Sequence, residues 1–379
     1  MVEIPLSLYA HFPWCVRKCP YCDFNSHALR GEIPEDAYID ALLRDLDFEL
    51  RDGEPRSLRS IFLGGGTPSL FSDAAIARFL DEAARRLPFA PDIEITLEAN
   101  PGTADESHFR GYRRAGVNRL SIGVQSLDAG KLKALGRIHD AGEAVRAYRM
   151  ARDAGFENIN LDLMFALPEQ SPEQAREDLA NLIDLQPEHV SYYHLTLEPN
   201  TEFAARPPKL PDEEAAWSMH EQGQSLLGDA GFAQYEVSAY AKPDRRSRHN
   251  LNYWQYGDYL GVGAGAHGKQ TRGGAIVRRA RQKHPKTYLE SAGTTAAIQE
   301  DKVIPAEELP FEFAMNALRL NDGFALADFE RRTGLLASAL DRPIAAAKSK
   351  GLLEARNGRI LPTQLGRAHL NAVLRLFLP

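Results

Sequence analysis

Up to Pro199 the chain alternates short β-forming runs with longer helical patterns, and this alternation limits its fold more than any other feature. The strand candidates are Ser7–Phe12, Ser60–Leu63, Glu94–Glu98, Arg119–Val124, Asn158–Leu163 and Val190–Leu195. Between them lie helical patterns such as Glu35–Arg51, Asp73–Leu87, Asp105–Ala115 and Ala141–Ala154, closed by turns at Gly53, Pro88, Gly116, Gly155 and Pro187. Strands that alternate with helices form parallel sheets with right-handed crossovers. Six units exceed a mononucleotide-binding fold and fall short of eight, so the expected class is α/β, a partial (β/α)6 TIM-like barrel, with a doubly wound sheet as runner-up. Three domains are expected: a barrel over 1–200, an extension over 201–304, and a module over 305–379. The last begins with helical patterns at Phe311–Leu320, Ala325–Thr333 and Ala337–Lys350. A hairpin signal at Asn357-Gly358 and a final helix over Gln364–Leu376 complete a winged-helix-like arrangement.

All three cysteines of the 379-residue chain, Cys15, Cys19 and Cys22, fall within eight positions in HFPWCVRKCPYC. A disulfide framework fails on count and chain size. Buried free cysteines are common, but not as a cluster on a loop of Pro, Lys and Arg. Three thiolates suit three irons of a [4Fe-4S] cube, leaving a fourth iron open to another ligand. Structural zinc stays open as an alternative, because His11 and His27 lie near enough in sequence to complete a four-ligand set.

In barrels of this type the chemistry sits at the C-terminal ends of the strands. The informative residues gather there: the cysteine loop after strand one, Gly64–Thr67 after strand two, Glu98 and Asn100 at strand three, Gln125 at strand four and Asp162 late in strand five. The C-x3-C-x2-C spacing, with Tyr21 before the last cysteine and GGGTPS after strand two, resembles the radical S-adenosylmethionine (SAM) superfamily. That resemblance implies a [4Fe-4S] cluster whose open iron is chelated by SAM, and a cleavage that can yield a 5′-deoxyadenosyl radical. It also implies that Gly65, Gly66 and Thr67 meet the methionine end of SAM. Further matches are to the oxygen-independent coproporphyrinogen III oxidase branch: Tyr9 near the adenine, Glu98 at the amino acid or ribose, Gln125 and Asp162 at the ribose, and Arg137 at the methionine carboxylate, which a guanidinium fork suits.

Two departures separate the chain from that oxidase. Phe24 stands where the oxidase has a further Cys, and only fourteen residues precede Cys15. WCVRKCPYCDFNSHAL, GGGTPSL and HNLNYW more closely resemble the HemW-type heme chaperone branch. Its marker, His249–Trp254, implies heme binding by His249, Asn250, Tyr253 and Trp254, with His267 a weaker axial candidate. The expected partners are heme and heme-accepting apoproteins, among them respiratory enzymes. The oxidase activity is the alternative function.

Gly263, Gly265 and Gly268 satisfy G-x-G-x-x-G but do not open a βαβ helix, so no dinucleotide site is expected. Arg278, Arg279, Arg281, Lys283 and Lys286 are expected to form a solvated face. The net charge of -7 argues against a nucleic-acid binder, including a DNA-binding role for the C-terminal module. No apolar run of about 18 residues occurs, and MVEIPLSLYAHF lacks the pattern of a secretory signal. With free thiols, these features give a cytoplasmic expectation.

Overall fold

The computed structural model describes residues 4–51 and 56–379. The turn at Gly53 lies outside them. Six parallel strands follow one another in chain order: β1 (Leu6–Phe12), β2 (Leu58–Gly65), β3 (Phe89–Ala99), β4 (Arg119–Gln125), β5 (Ile159–Phe165) and β6 (His189–His194). A doubly wound sheet reverses its order at a switch point. Here the order never reverses, so every right-handed crossover puts its helix on the same side. The sheet curls into an open (β/α)6 partial barrel.

The crossover helices that follow β2, β3, β4 and β5 begin where short polar side chains satisfy their free amides. Ser72 caps α1 (Asp73–Arg86), and Asp105 caps α2 (Glu106–Arg114). Reciprocal capping boxes open α3 (Ala141–Asp153, from Asp140 and Glu143) and α4 (Pro172–Ile183, from Ser171 and Gln174). Gly116 and Gly155 follow α2 and α3 with φ of 104° and 90°, a backbone glycine adopts freely.

The two faces of the sheet differ in kind. Outward residues such as Leu8, Leu63, Leu97, Ile122, Leu161 and Val190 join the helices in one large apolar core. Inward residues are mostly polar: Ser7 and His11; Ser60; Glu94, Thr96 and Glu98; Arg119, Ser121 and Gln125; Asn160 and Asp162; His189 and Ser191. Period-two alternation therefore yields a polar lumen inside an apolar shell.

Beyond β6 the chain forms helix α5 (Glu213–Asp229), a short hairpin (Ala233–Gln234 with Ala239–Ala241), and helix α6 (Arg248–Trp254). Strand β7 (Asp258–Val262) then pairs parallel with β1 on the edge opposite β2. Strands β8 (His267–Arg272), β9 (Ala275–Arg281) and β10 (Ile298–Val303) extend that edge antiparallel.

Of the expected solvated basic face, Lys283 and Lys286 are exposed, but the three arginines on β9 are not. Arg281 is fully buried with its guanidinium on Asp45 and Glu49, Arg279 bridges Glu49 and Asp301, and Arg278 bonds Glu312 and the Tyr259 hydroxyl. Buried cations persist only when paired, and acids on neighbouring elements supply the pairs.

The C-terminal module has its own core around Phe313, Phe329, Leu340 and Val373, joined by Tyr256 and Ile276 from the extension. Asn357 and Gly358 both take positive φ, as the two-residue hairpin requires. The helical pattern expected over Ala337–Lys350 starts as a 3-10 turn, Ala337–Leu340, and becomes α-helical only over Asp341–Ser349. Pro343 has no amide to donate, so it fits only the first turn. The expected final helix is broken at His369 into Gln364–Ala368 and Leu370–Leu374.

Candidate functional site

At the C-terminal ends of the strands the lumen opens into a cavity of about 530 Å³. Cys15, Cys19 and Cys22 line it, half-buried, together with Gly65, Gly66, Thr67, Glu98, Gln125, Arg137 and Asp162. The structure thus brings together, on one wall system, all three cysteines and seven of the eight residues expected at SAM. The eighth, Tyr9, stands deeper. Its hydroxyl bonds His11 Nδ1 at 2.9 Å, and its ring stacks on Phe62.

The cysteine loop is braced from both sides. The Cys22 amide donates to the Cys19 carbonyl, and the Leu29 amide to that of Cys15. The Asn25 amide group donates to the carbonyls of Ala264 and Lys283, which ties the loop to the turn after β7 and to the segment after β9. Gly263 in that turn has φ 107°, and a Cβ there would lie 2.4 Å from the His11 carbonyl oxygen. The glycine run after β7 thus serves close backbone approach, not a dinucleotide. On the other side, the Gly66 and Thr67 amides donate to the Phe12 and Trp14 carbonyls. A Cβ on Gly66 would meet the Trp14 oxygen at 2.6 Å, so GGGTP must be bare to run against the loop.

Each sulfur has a polar neighbour: Thr67 Oγ1 donates to Cys15 at 3.4 Å, an Arg137 guanidinium N–H to Cys19 at 3.4 Å, and the Ser26 hydroxyl lies 3.7 Å from Cys22. Burial pushes the Cys15 and Cys22 thiols up, while the Thr67 hydroxyl at Cys15 and the Ser26 hydroxyl at Cys22 pull the other way. The histidines expected to complete a zinc set are engaged elsewhere. His11 bonds Tyr9 and the Asn25 carbonyl, and His27 Nε2 faces Asn25 Oδ1. Among the described residues no three His, Cys, Asp or Glu side chains converge on one point as they would around a single ion. Thiolates on separate corners of a cube stand further apart.

The rest of the cavity holds unfinished polar chemistry. Arg137 donates to Cys19 and the Gly123 carbonyl, but its buried Nε has no partner among the described residues. Among the described residues Glu98 accepts only the Gly65 amide, at 2.9 Å. Burial and the facing Asp162 raise its pKa to about 8, against the opposing pull of that amide. Burial likewise raises Asp162, whose carboxylate takes Asn160 Nδ2 at 2.7 Å and Ser121 Oγ at 3.4 Å. Gln125 ends β4 at φ 68°, beyond a register shift, and its Oε1 accepts from Tyr193 at 2.6 Å. Backbone strain of this kind clusters where ligands are held. A cationic, carboxylate-bearing nucleotide fits these residues. Arg137 retains a free donor, two repelling carboxyls await a positive charge, and bare glycines border the cysteine loop.

Sequence reasoning missed Tyr193, Asn160, Ser121, Arg119, Ser191 and His189, which also line the cavity. Their signal was the inward alternation of Arg119/Ser121/Gln125, Asn160/Asp162 and His189/Ser191/Tyr193 on three successive strands.

The HNLNYW segment is α6, and it closes the opposite end of the lumen. Ser247 caps it, and the Glu94 carboxylate accepts the amides of Arg248 and His249, both at 3.1 Å. His249 is 1% exposed, with Nδ1 on Ser60 Oγ at 3.0 Å and Nε2 on the Tyr253 hydroxyl at 2.9 Å. Its ring stacks on Phe62, and the Tyr253 ring packs on Tyr259. Neither imidazole nitrogen is free for iron in this arrangement. Of the four expected heme residues only Asn250 lines the cavity. Trp254 lies under the Arg319 guanidinium, 4.3 Å from its ring centre. His267 is exposed at the start of β8 and lines neither this cavity nor the groove described below.

A partial barrel with a three-cysteine loop after its first strand is the architecture of radical SAM proteins. Residues 9–182 match the Radical SAM superfamily, and residues 304–369 match the HemN C-terminal domain. Over its whole length the chain is 49% identical to the heme chaperone HemW of Escherichia coli (strain K12), covering all of both chains. It is 50% identical to that of Haemophilus influenzae, covering 99% of this chain and 98% of the relative. The chain belongs to the HemW heme chaperone family. The solved coproporphyrinogen III oxidase (HemN) of Escherichia coli shares the fold, with a TM-score of 0.83 over 99% of this chain and 90% of that one, at 24% identity.

Proposed function

We propose that this protein carries heme and passes it to heme-requiring apoproteins, among them respiratory enzymes, in the cytoplasm, with a [4Fe-4S] cluster and SAM held in the upper lumen. The observation that carries this reading is full-length relatedness to proteins named heme chaperones. No helix among the described residues is long and apolar enough to cross a membrane, so membrane-bound recipients would be met from the surface.

Cys15, Cys19 and Cys22 would hold the cluster, which when bound supplies one-electron chemistry at its open iron. Around it the chain binds and orients. Arg137 presents its unpartnered N–H to the methionine carboxylate, and Gly65 and Gly66 let backbone approach the amino acid end. Gln125 and Asp162 receive the ribose hydroxyls. Glu98 stays protonated until the positive charge of SAM draws it into the ionised form. Tyr193 holds Gln125, and Asn160 holds Asp162, so the hydrogen-bonding direction of each is set before the nucleotide arrives.

The test uses anaerobically reconstituted protein. Iron and sulfide should match one four-iron cluster per chain and be lost when the three cysteines become serine. Hemin loaded on the protein should move to an apo-cytochrome faster than free hemin does. Conversion of coproporphyrinogen III to protoporphyrinogen at catalytic turnover would overturn the carrier reading in favour of the oxidase.

A further inference from the structure

A second cavity, also about 530 Å³, lies between α5 and the C-terminal module, and no cluster or SAM residue lines it. One wall is a face of α5, where Trp217, His220 and Gln224 recur at helical spacing. Phe165 and His194, from the ends of β5 and β6, form its base. The other wall carries Arg319 and Arg367.

Four features single it out. Two imidazoles flank one phenyl ring, His194 and His220 lying 5.4 Å and 5.9 Å from Phe165 between ring centres. Neither has a hydrogen-bond partner among the described residues, and burial lowers the pKa of both, so each is a neutral ring with a free nitrogen. Trp217 is 47% exposed beside His220 and offers an unpaired aromatic face. Arg319 spends one N–H on Glu236, stacks on Trp254, and leaves a buried Nε without a partner among the described residues. Glu213 and Glu221 sit on the α5 wall, so an anion entering the groove is directed to the arginine wall.

Neutral imidazole, aromatic faces and separated cations are what a flat iron porphyrin with two carboxylates requires. Resting on the heme-carrying reading above, we propose that heme docks in this groove, its iron toward the His194–His220 pair and its propionates toward Arg319 and Arg367. His194 also lines the cluster cavity, so the docked cargo would share a wall with the SAM site. Trp254 would act on heme from behind, by positioning Arg319, which gives the HNLNYW segment a role without iron ligation.

The experiment is an anaerobic hemin titration of the full, cluster-loaded chain followed in the Soret band. His194→Ala/His220→Ala should weaken binding at least tenfold and shift the band away from the histidine-ligated form. Arg367→Glu should weaken it severalfold with the band unmoved. His220→Gln, a milder change on a surface helix, should reproduce part of the shift if the double variant proves unstable. Unchanged affinity and spectrum in the double variant, or in His220→Gln where the double variant does not fold, would overturn the groove while leaving the carrier reading intact. Absence of hemin binding by the unaltered protein would overturn both.

Discussion

The two ends of the barrel lumen are lined by the same kinds of side chain and treat them in opposite ways. At the floor, His249, Ser60, Tyr253 and Glu94 satisfy one another, and aromatic rings cover what remains. At the rim, Glu98 has one amide for two oxygens, Arg137 keeps a free N–H, and Asp162 faces another carboxyl. A buried polar group costs free energy unless it is bonded. The closed floor therefore reads as architecture, and the open rim as a site prepared for a partner from outside. The histidines divide the same way: His249 is saturated, whereas His194 and His220 are not.

The largest effect expected from this contrast is at the floor. His249→Ala should lower unfolding stability by about 3 kcal/mol, because it empties a packed aromatic site and orphans the Ser60 and Tyr253 hydroxyls. Chemical denaturation of the anaerobic protein measures it. Heme affinity should change less than in His194→Ala/His220→Ala. The reverse ranking, with stability unaffected and heme binding lost, would return the ligand role to His249 and break the contrast between floor and groove.

A smaller effect follows from pH. Burial lowers the His249 pKa from 6.5 to about 3. As pH falls below 6.5 the unfolded chain takes up a proton that the folded chain refuses, so stability declines toward about 3 and is unaffected above 6.5. One such group contributes about 1.4 kcal/mol per pH unit, or about 2 kcal/mol between pH 6.5 and 5. His11, His139 and His189 are lowered by burial too and act with the same sign. The difference between the unaltered protein and His249→Gln isolates the floor. A variant with an equally steep acid decline would show that His249 is exposed to protonation and the floor is not closed.

What the sequence made legible follows from which signals are local. Cysteine spacing, bare glycines and strand–helix alternation are properties of short stretches, and they picked out the three-cysteine loop, the rim residues beside it and six of the seven parallel strands. Strand β7 was missed because DYLGV is short and pairs with β1 across most of the chain. The β9 arginines were misjudged for a related reason: their acids, Asp45, Glu49 and Glu312, come from distant segments. HNLNYW was legible as a motif, but its placement was not, since nothing local says that Glu94 caps that helix from inside the barrel. Likewise His194 and His220 drew no attention in sequence, standing twenty-six residues apart on a strand end and a helix.

The smallest expected effect tests the rim itself. With its pKa raised to about 8, Glu98 is mostly protonated at neutral pH in the empty cavity. The sulfonium of SAM favours the carboxylate, so binding should release a proton and tighten as pH rises. Below pH 8 the Glu98 proton should contribute close to a tenfold loss of affinity per unit, about 1.4 kcal/mol, and that contribution should fade above it. Calorimetry in buffers of different ionisation enthalpy counts the proton directly. Glu98→Gln cannot ionise, so it should release one proton fewer than the unaltered protein and its SAM affinity should rise less steeply with pH, whereas a structural Glu98 would leave both as they were. If instead the unaltered protein and Glu98→Gln release the same number of protons between pH 6 and 7.5, Glu98 keeps one ionisation state throughout, and SAM does not draw it into the ionised form.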